Sequence, residues 1–261
     1  MKAIFTGAIS FGLINIPVRI YAATESTAVS LHLFCNISNT PLEYIRWCPV
    51  CKKKIEWKDV RHGYRLSKDS WVILEKEELE KIKLPTTKTI DVQQFVDASQ
   101  IDPIYFEKAY YVAPEEPGMR PYTLFTEALR TINKAAVGKV VLRNKEHIVC
   151  LRPFHKGLAM HTMYYANEIR NIDSLPELGS MATVNKNELE LAMKLITNLT
   201  EEVFDATQFK DQYTESLKKL VRAKAEGKEF KAEEKKPAEE TKNLAEALKI
   251  SIENVRKKKK A

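Results

Sequence analysis

The stretch KAAVGKVVLRNKEHIVCLRPFHKGLAMHTMYY, residues 134 to 165, holds three runs of β-branched and apolar residues divided by two turn signals, Arg143-Asn144-Lys145 and His155-Lys156-Gly157. Runs of this length, joined by turns this short, predict a three-stranded meander. Four more strand-like runs lie upstream: ISFGLINIPVRIY, DSWVILEK, KTIDVQQFVD and EKAYYVAPE. One helix interrupts them at about Pro121 to Thr131, where Leu124, Ala128 and Leu129 recur at helical spacing. Many short strands in one segment predict a mainly β fold with some helix, built as a barrel or a sandwich.

After Pro176 the pattern changes. Asn185 precedes Glu188 by three residues, as in a capping box, and Leu189, Ala192, Met193, Ile196, Leu199 and Val203 form an apolar stripe. A second helix carries Tyr213, Leu217, Leu220 and Val221 on one face. From Glu226 to Glu240 the chain is almost only Lys, Glu, Ala and Pro, too polar to fold alone. Beyond it Leu244, Leu248, Ile252 and Val255 make a short amphipathic stripe that ends in Arg256 and four lysines. These shifts divide the chain into a β core over 1–180, a helical arm over 181–225, a charged linker over 226–241, and a partner-binding helix with a basic tail over 242–261.

The positive charge is concentrated. Lys and Arg outnumber Asp and Glu by 42 to 35 overall. Between residues 46 and 65, Arg46, Lys52, Lys53, Lys54, Lys58, Arg61 and Arg65 stand against Glu56 and Asp59, an excess of five. In the meander Lys139, Arg143, Lys145, Arg152 and Lys156 stand against Glu146, an excess of four. A lone exposed lysine is ordinary surface, but two such clusters and a basic tail point to a surface that tracks phosphates.

Cysteine is sparse. Cys35, Cys48, Cys51 and Cys150 do not make a disulfide framework in a chain of 261 residues with its own core. His32-x-x-Cys35 and Cys48-x-x-Cys51 together offer four ligands at a spacing compatible with a tetrahedral structural zinc. Against that, LHLFC alternates like a strand, which would point His32 and Cys35 to opposite faces. A redox dithiol and plain reduced thiols are the other readings, and no cofactor is required by any motif. No run approaches a membrane span, and the N-terminal apolar run is broken by Thr6, Gly7, Ser10, Gly12 and Asn15, so a cytoplasmic, nucleoid-associated protein is expected.

Enzyme signatures are missing. The chain has no P-loop, no G-x-G-x-x-G, no G-x-S-x-G and no H-E-x-x-H. Its five histidines are scattered, and His161, in the alternating run LAMHTMYY, reads as a strand residue. No catalytic residue is assigned.

Several separate stretches nevertheless resemble one family. KAIFTGAISFGLINIPVRIYAATE, DPIYFEKAYYVAPE, YTLFTEALRTINKAAVGKVVLRNKEHIVCLRP and YANEIR are similar to the prokaryotic Ku proteins of non-homologous end joining. That resemblance implies a β-barrel core, a long excursion between its first strands over about 26–71, and a C-terminal helical arm. It also implies a non-enzymatic homodimer whose excursions form a ring around double-stranded DNA ends and which recruits an ATP-dependent repair ligase. RWCPVCKKKIEW would then lie in the DNA-encircling handle. A zinc-bearing regulator that binds internal DNA sites is the alternative from a different class.

Overall fold

The structure, a computed structural model, describes residues 1–82, 88–180, 182–230 and 244–260, without the side chains of 254 and 256–260. Two compact units emerge, one of residues 1–27 and 32–170, the other of 28–31 and the chain from 171 onward.

The first unit opens with β1 (Phe5–Phe11) and β2 (Ile14–Ala22), an antiparallel pair turned at Gly12, whose φ of +57° suits glycine. The chain then leaves for an insertion containing β3 (Trp47–Cys48), β4 (Lys53–Lys54), β5 (His62–Arg65), β6 (Trp71–Leu74) and α1 (Lys76–Lys81). It returns as β7 (Thr89–Asp97) and β8 (Phe106–Pro114), then α2 (Met119–Thr131) and the meander β9 (Lys134–Leu142), β10 (Lys145–Phe154) and β11 (Gly157–Met163). Both meander turns sit where their sequence signals lie. Arg143 and Asn144 each take positive φ, the conformation a two-residue hairpin needs.

Seven strands close into a barrel in the order β1-β2-β8-β11-β10-β9-β7. All neighbours are antiparallel except β1 and β7, whose parallel pairing shuts the barrel. A bulge in β7 between Val92 and Gln94 faces Gly138 of β9. A Cβ at Gly138 would lie 2.2 Å from the Asp91 carbonyl oxygen, so only glycine admits that approach.

The barrel fills itself. Ile9, Ile16, Val18, Ile20, Ile90, Val149, Leu151 and Met160 point inward and are completely buried. Each such side chain contributes about 1.5–3 kcal/mol of burial. One end is stoppered by Tyr122, Phe125 and Leu129 of α2. Tyr122 fixes that helix: its hydroxyl donates to the Val112 carbonyl at 2.6 Å and accepts from the Leu158 amide at 2.8 Å.

The insertion between β2 and β7 is different in kind, because not one of its described residues is buried. It spans 23 to 88, more than the expected 26–71. DSWVILEK supplies β6, and β6 pairs only with β5 in a hairpin instead of joining the barrel. The alternation of that run is strand-like, but alternation does not name the partner strand.

In the second unit the barrel boundary also moves. The last barrel strand ends at Met163, and 171–180, which belong to the second unit, fold as short 3-10 turns. Helices α3 (Lys186–Leu199), α4 (Gln212–Ala225) and α5 (Leu244–Lys260) follow. Asn185 caps α3 by accepting from the Asn187 amide, and Asp211 caps α4 by accepting from the Thr214 amide. The charged linker is described only to residue 230; its remainder, 231–243, lies outside the described residues. The backbone of the basic tail continues α5 as helix.

Candidate nucleic-acid interface

The first basic cluster is spread along the coreless insertion, whose rigidity comes from local pairing. Arg46 and Arg65 act partly as struts. The Arg46 guanidinium lies over the Trp57 ring at 4.3 Å, and its Nε donates to the Ile55 carbonyl. Arg65 lies over Trp71 at 5.7 Å and donates to the carbonyls of Ser67 and Lys68. Lys58 pairs with Glu56, and Arg61 with Glu75, both at 3.0 Å. Those pairs are well exposed and worth less than about 1 kcal/mol, so a phosphate can displace the carboxylate. Lys52, Lys53 and Lys54 have no ion-pair partner among the described residues and stand exposed on the β3–β4 hairpin.

That hairpin is also a cysteine turn. The Cys51 amide donates to Cys48 Sγ at 3.4 Å, and Lys52 takes a φ of +48°. The Cys51 and Val50 amides and the Cys51 thiol hold the Cys48 thiol below its ordinary range, and the Cys51 thiol is pushed up by its neighbour. A second turn of the same form begins at Cys35. The Ser38 hydroxyl and the amides of Ser38 and Ile37 lower its thiol, and Asn39, like Lys52 four residues after its cysteine, takes positive φ. Ser38 therefore stands where Cys51 stands. Among the described residues no three His, Cys, Asp or Glu side chains are gathered closely enough to hold a metal ion; Cys48 and Cys51 share one turn, and His32 and Cys35 are not gathered with them. Cys150 is apart from all of them: it is buried in β10, and burial pushes its thiol up to about 11.

The second basic cluster is not one patch. Arg143 and Lys145 lie at the β9–β10 turn, whereas Lys156 lies at the β10–β11 turn. The ten residues of β10, about 30 Å of extended chain, separate the two turns. Lys139 is a strut, 3.0 Å from Glu146, which also receives the Tyr165 hydroxyl. Each charge stabilises the other: the Lys139 ammonium is raised and the Glu146 carboxyl lowered. Lys145 pairs with Glu168 at 3.6 Å. Arg152 stacks on Phe154 at 5.5 Å and has no ion-pair partner among the described residues.

Two contributors carry no signal in the sequence. Lys108 and His147 share a surface hollow of about 410 Å³ with Arg143 and Lys145 at one end of the barrel. Burial holds His147 below the ordinary imidazole range, despite Glu107. Only strand register places β8 and β10 side chains in that hollow together, and no local pattern reveals it.

The C-terminal stripe meets its own chain. Helix α5 packs on α3, with Ile252 8% exposed, Leu248 and Val255 partly buried, and Leu244 at the open end. On α3 the partly buried positions are Glu188, Leu191, Ala192, Leu195 and Asn198, spaced as one helical face. Of the expected arm stripe, Leu189, Met193, Ile196 and Leu199 remain exposed. Helix α3 is thus apolar on two faces, one occupied by α5 and one open.

Comparison with known proteins adds the last observation. The family model described as the Ku70/Ku80 beta-barrel domain matches residues 10–191. A protein of Heliobacterium modesticaldum named non-homologous end joining protein Ku is 38% identical over 261 residues, covering 100% of this chain and 94% of the relative. One of the same name from Archaeoglobus fulgidus is 37% identical over 256 residues, covering 98% and 100%. A third, from Bacillus subtilis, is 33% identical over 260 residues, covering 98% and 83%.

Proposed function

The chain belongs to the Ku family, and from that premise we propose that it is a non-enzymatic protein of non-homologous end joining that binds double-stranded DNA ends as a homodimeric ring. The observation that carries this reading is the insertion between β2 and β7. It has no core of its own, and Lys52, Lys53 and Lys54, without ion-pair partners among the described residues, are displayed on a hairpin braced by arginine–tryptophan stacks. Such a projection suits contact with a phosphate backbone more than enclosure of a small substrate.

Base reading has little support. Helix α2, the helix packed on the barrel, buries Tyr122, Phe125, Thr126 and Leu129 and serves the core. Specificity is then for ends, imposed by topology, since a closed protein loop reaches duplex DNA only from a terminus.

Homodimerisation is supported by the open apolar face of α3, which needs cover in water. Recruitment of an ATP-dependent repair ligase is assigned to the C-terminal helix. Because its stripe rests on α3, ligase docking at Leu248, Ile252 and Val255 requires α5 to leave that helix. No cofactor is required. The Cys48–Cys51 turn can offer two thiolates to a structural zinc, which lacks a complete ligand set here; equilibrium dialysis against zinc, with Cys48→Ser as control, measures whether the insertion takes up the metal. Among the described residues no helix is long and apolar enough to cross a membrane.

The deciding experiment is a competition at equal phosphate concentration. Linear DNA should displace a labelled linear probe far better than closed circular DNA; equal competition would mean open-faced electrostatic binding.

A further inference from the structure

The outer face of the barrel carries an aromatic platform that the ring reading does not use. Inward positions on β2 and β8 are Val18, Ile20 and Val112, so Tyr21 and Tyr111 point outward. Register aligns Tyr21 with Tyr111, Tyr111 with Ala159, and Ala159 with Arg152, a row that crosses four strands. Phe154 follows Arg152 on the outer side of β10 and pairs with Gly157. Ala159, the small residue between them on β11, lets the Tyr111 and Phe154 rings meet above that strand, while the space beside Gly157 is taken by the Tyr122 hydroxyl. Their centroids are 6.0 Å apart and their planes differ by only 16°.

The surroundings are cationic. Arg152 lies against the Phe154 ring with no carboxylate partner among the described residues, and Lys156 is exposed two residues further on. Tyr111 is 37% exposed, so the platform has an open side.

An aromatic face next to unneutralised cations is the composition of a single-strand nucleic-acid site, in which bases stack and cations meet phosphates. An intact duplex cannot use it, because its bases already stack on each other and present only their edges. We propose that Tyr111 and Phe154, with Arg152, form a stacking site for an unpaired base of a single-stranded overhang at a DNA end. This rests on the end-binding reading and adds to it a ligand class, the overhang, and a means of telling overhung ends from blunt ones.

The test uses the full chain and two duplexes, one blunt and one extended by a short overhang containing 2-aminopurine. Stacking on the platform should quench the 2-aminopurine fluorescence and favour the overhung duplex by about 5- to 160-fold, the range for one stacked base. Phe154→Leu and Tyr111→Leu keep apolar bulk and remove the π-face. Each should abolish the quench and most of the preference while leaving blunt-end affinity within about twofold.

Equal losses on both duplexes would overturn the proposal, since the rings would then serve only the fold or general phosphate binding. A change in oligomeric mass with the quench intact would also overturn it, by making this face an interface between copies. Quenching is measured on a free single strand in parallel. That signal survives if only threading onto ends fails, so failure of the ring and failure of the stacking site are distinguishable.

Discussion

The guanidinium of Arg46 rests 4.3 Å from the centre of the Trp57 ring, and this stack joins the two sides of the cysteine hairpin in a segment without buried residues. A cation–π interaction at an exposed site is worth about 0.5–1 kcal/mol, a large share of what holds so thin a projection. Trp57→Ala should therefore weaken DNA binding about two- to fivefold, although it removes no charge. End-binding titrations of Trp57→Ala and Trp57→Phe check this; the phenylalanine variant should retain most of the affinity.

Lys52, Lys53 and Lys54 are the cations of the same hairpin that have no ion-pair partner among the described residues. Replacing all three with alanine should lower the magnitude of the salt slope by about 0.9 for each phosphate that is no longer neutralised, and equally for unrelated DNA sequences. Arg61→Ala and Lys58→Ala should do less each, because Glu75 and Glu56 already accompany those cations. A marked preference of the wild type for one sequence would contradict backbone binding.

The barrel should be sensitive to alkali. Burial raises the Cys150 thiol to about 11 from an ordinary 9.0, so the folded state favours the neutral thiol more than the unfolded chain does. The resulting stability is complete below pH 9 and is lost as pH rises from there to about 11. Tyr122, also raised by burial, acts in the same direction above pH 10. Denaturation midpoints should fall over this window, and Cys150→Ala should flatten the part between pH 9 and 11. At neutral pH, Tyr122→Phe should cost about 1–3 kcal/mol, because the Val112 carbonyl and the Leu158 amide lose their shared hydroxyl.

Helix α3 makes two separable predictions. Ile196→Asp, on its open face, should convert a dimer to monomers by solution scattering and leave α5 in place. Leu195→Asp, on the face toward α5, should free the C-terminal helix and raise its protease sensitivity and its ligase stimulation. Deleting everything after Lys242 should reduce ligation and spare most end binding. Unchanged ligation after that deletion would leave α5 a structural helix only.

The meander is legible because Arg143-Asn144 and His155-Lys156-Gly157 are local turn chemistry, and α2 is legible from its period. What escapes is set by distant partners. Arg61 and Lys145 read as free cations, yet Glu75 and Glu168 reach them from outside the basic stretches. Lys156 reads as part of one cluster with Arg143, but a strand that runs straight through the barrel puts them at opposite ends. The Leu191 and Leu195 face of α3 is obscured by a second apolar stripe on the same helix. His32 and Cys35 share the spacing of a ligand pair, and nothing in that spacing shows the turn in which the Ser38 hydroxyl bonds the Cys35 thiol.

The ring itself is tested by trapping. Protein is loaded on linear DNA, the DNA is ligated into a circle, and both samples are challenged with salt sufficient to strip an ordinary electrostatic complex. A closed ring predicts protein retained on the circles and lost from the linear control, where it can slide off an end. Equal loss from both would contradict the ring and reduce the Lys52–Lys54 hairpin to a basic surface patch.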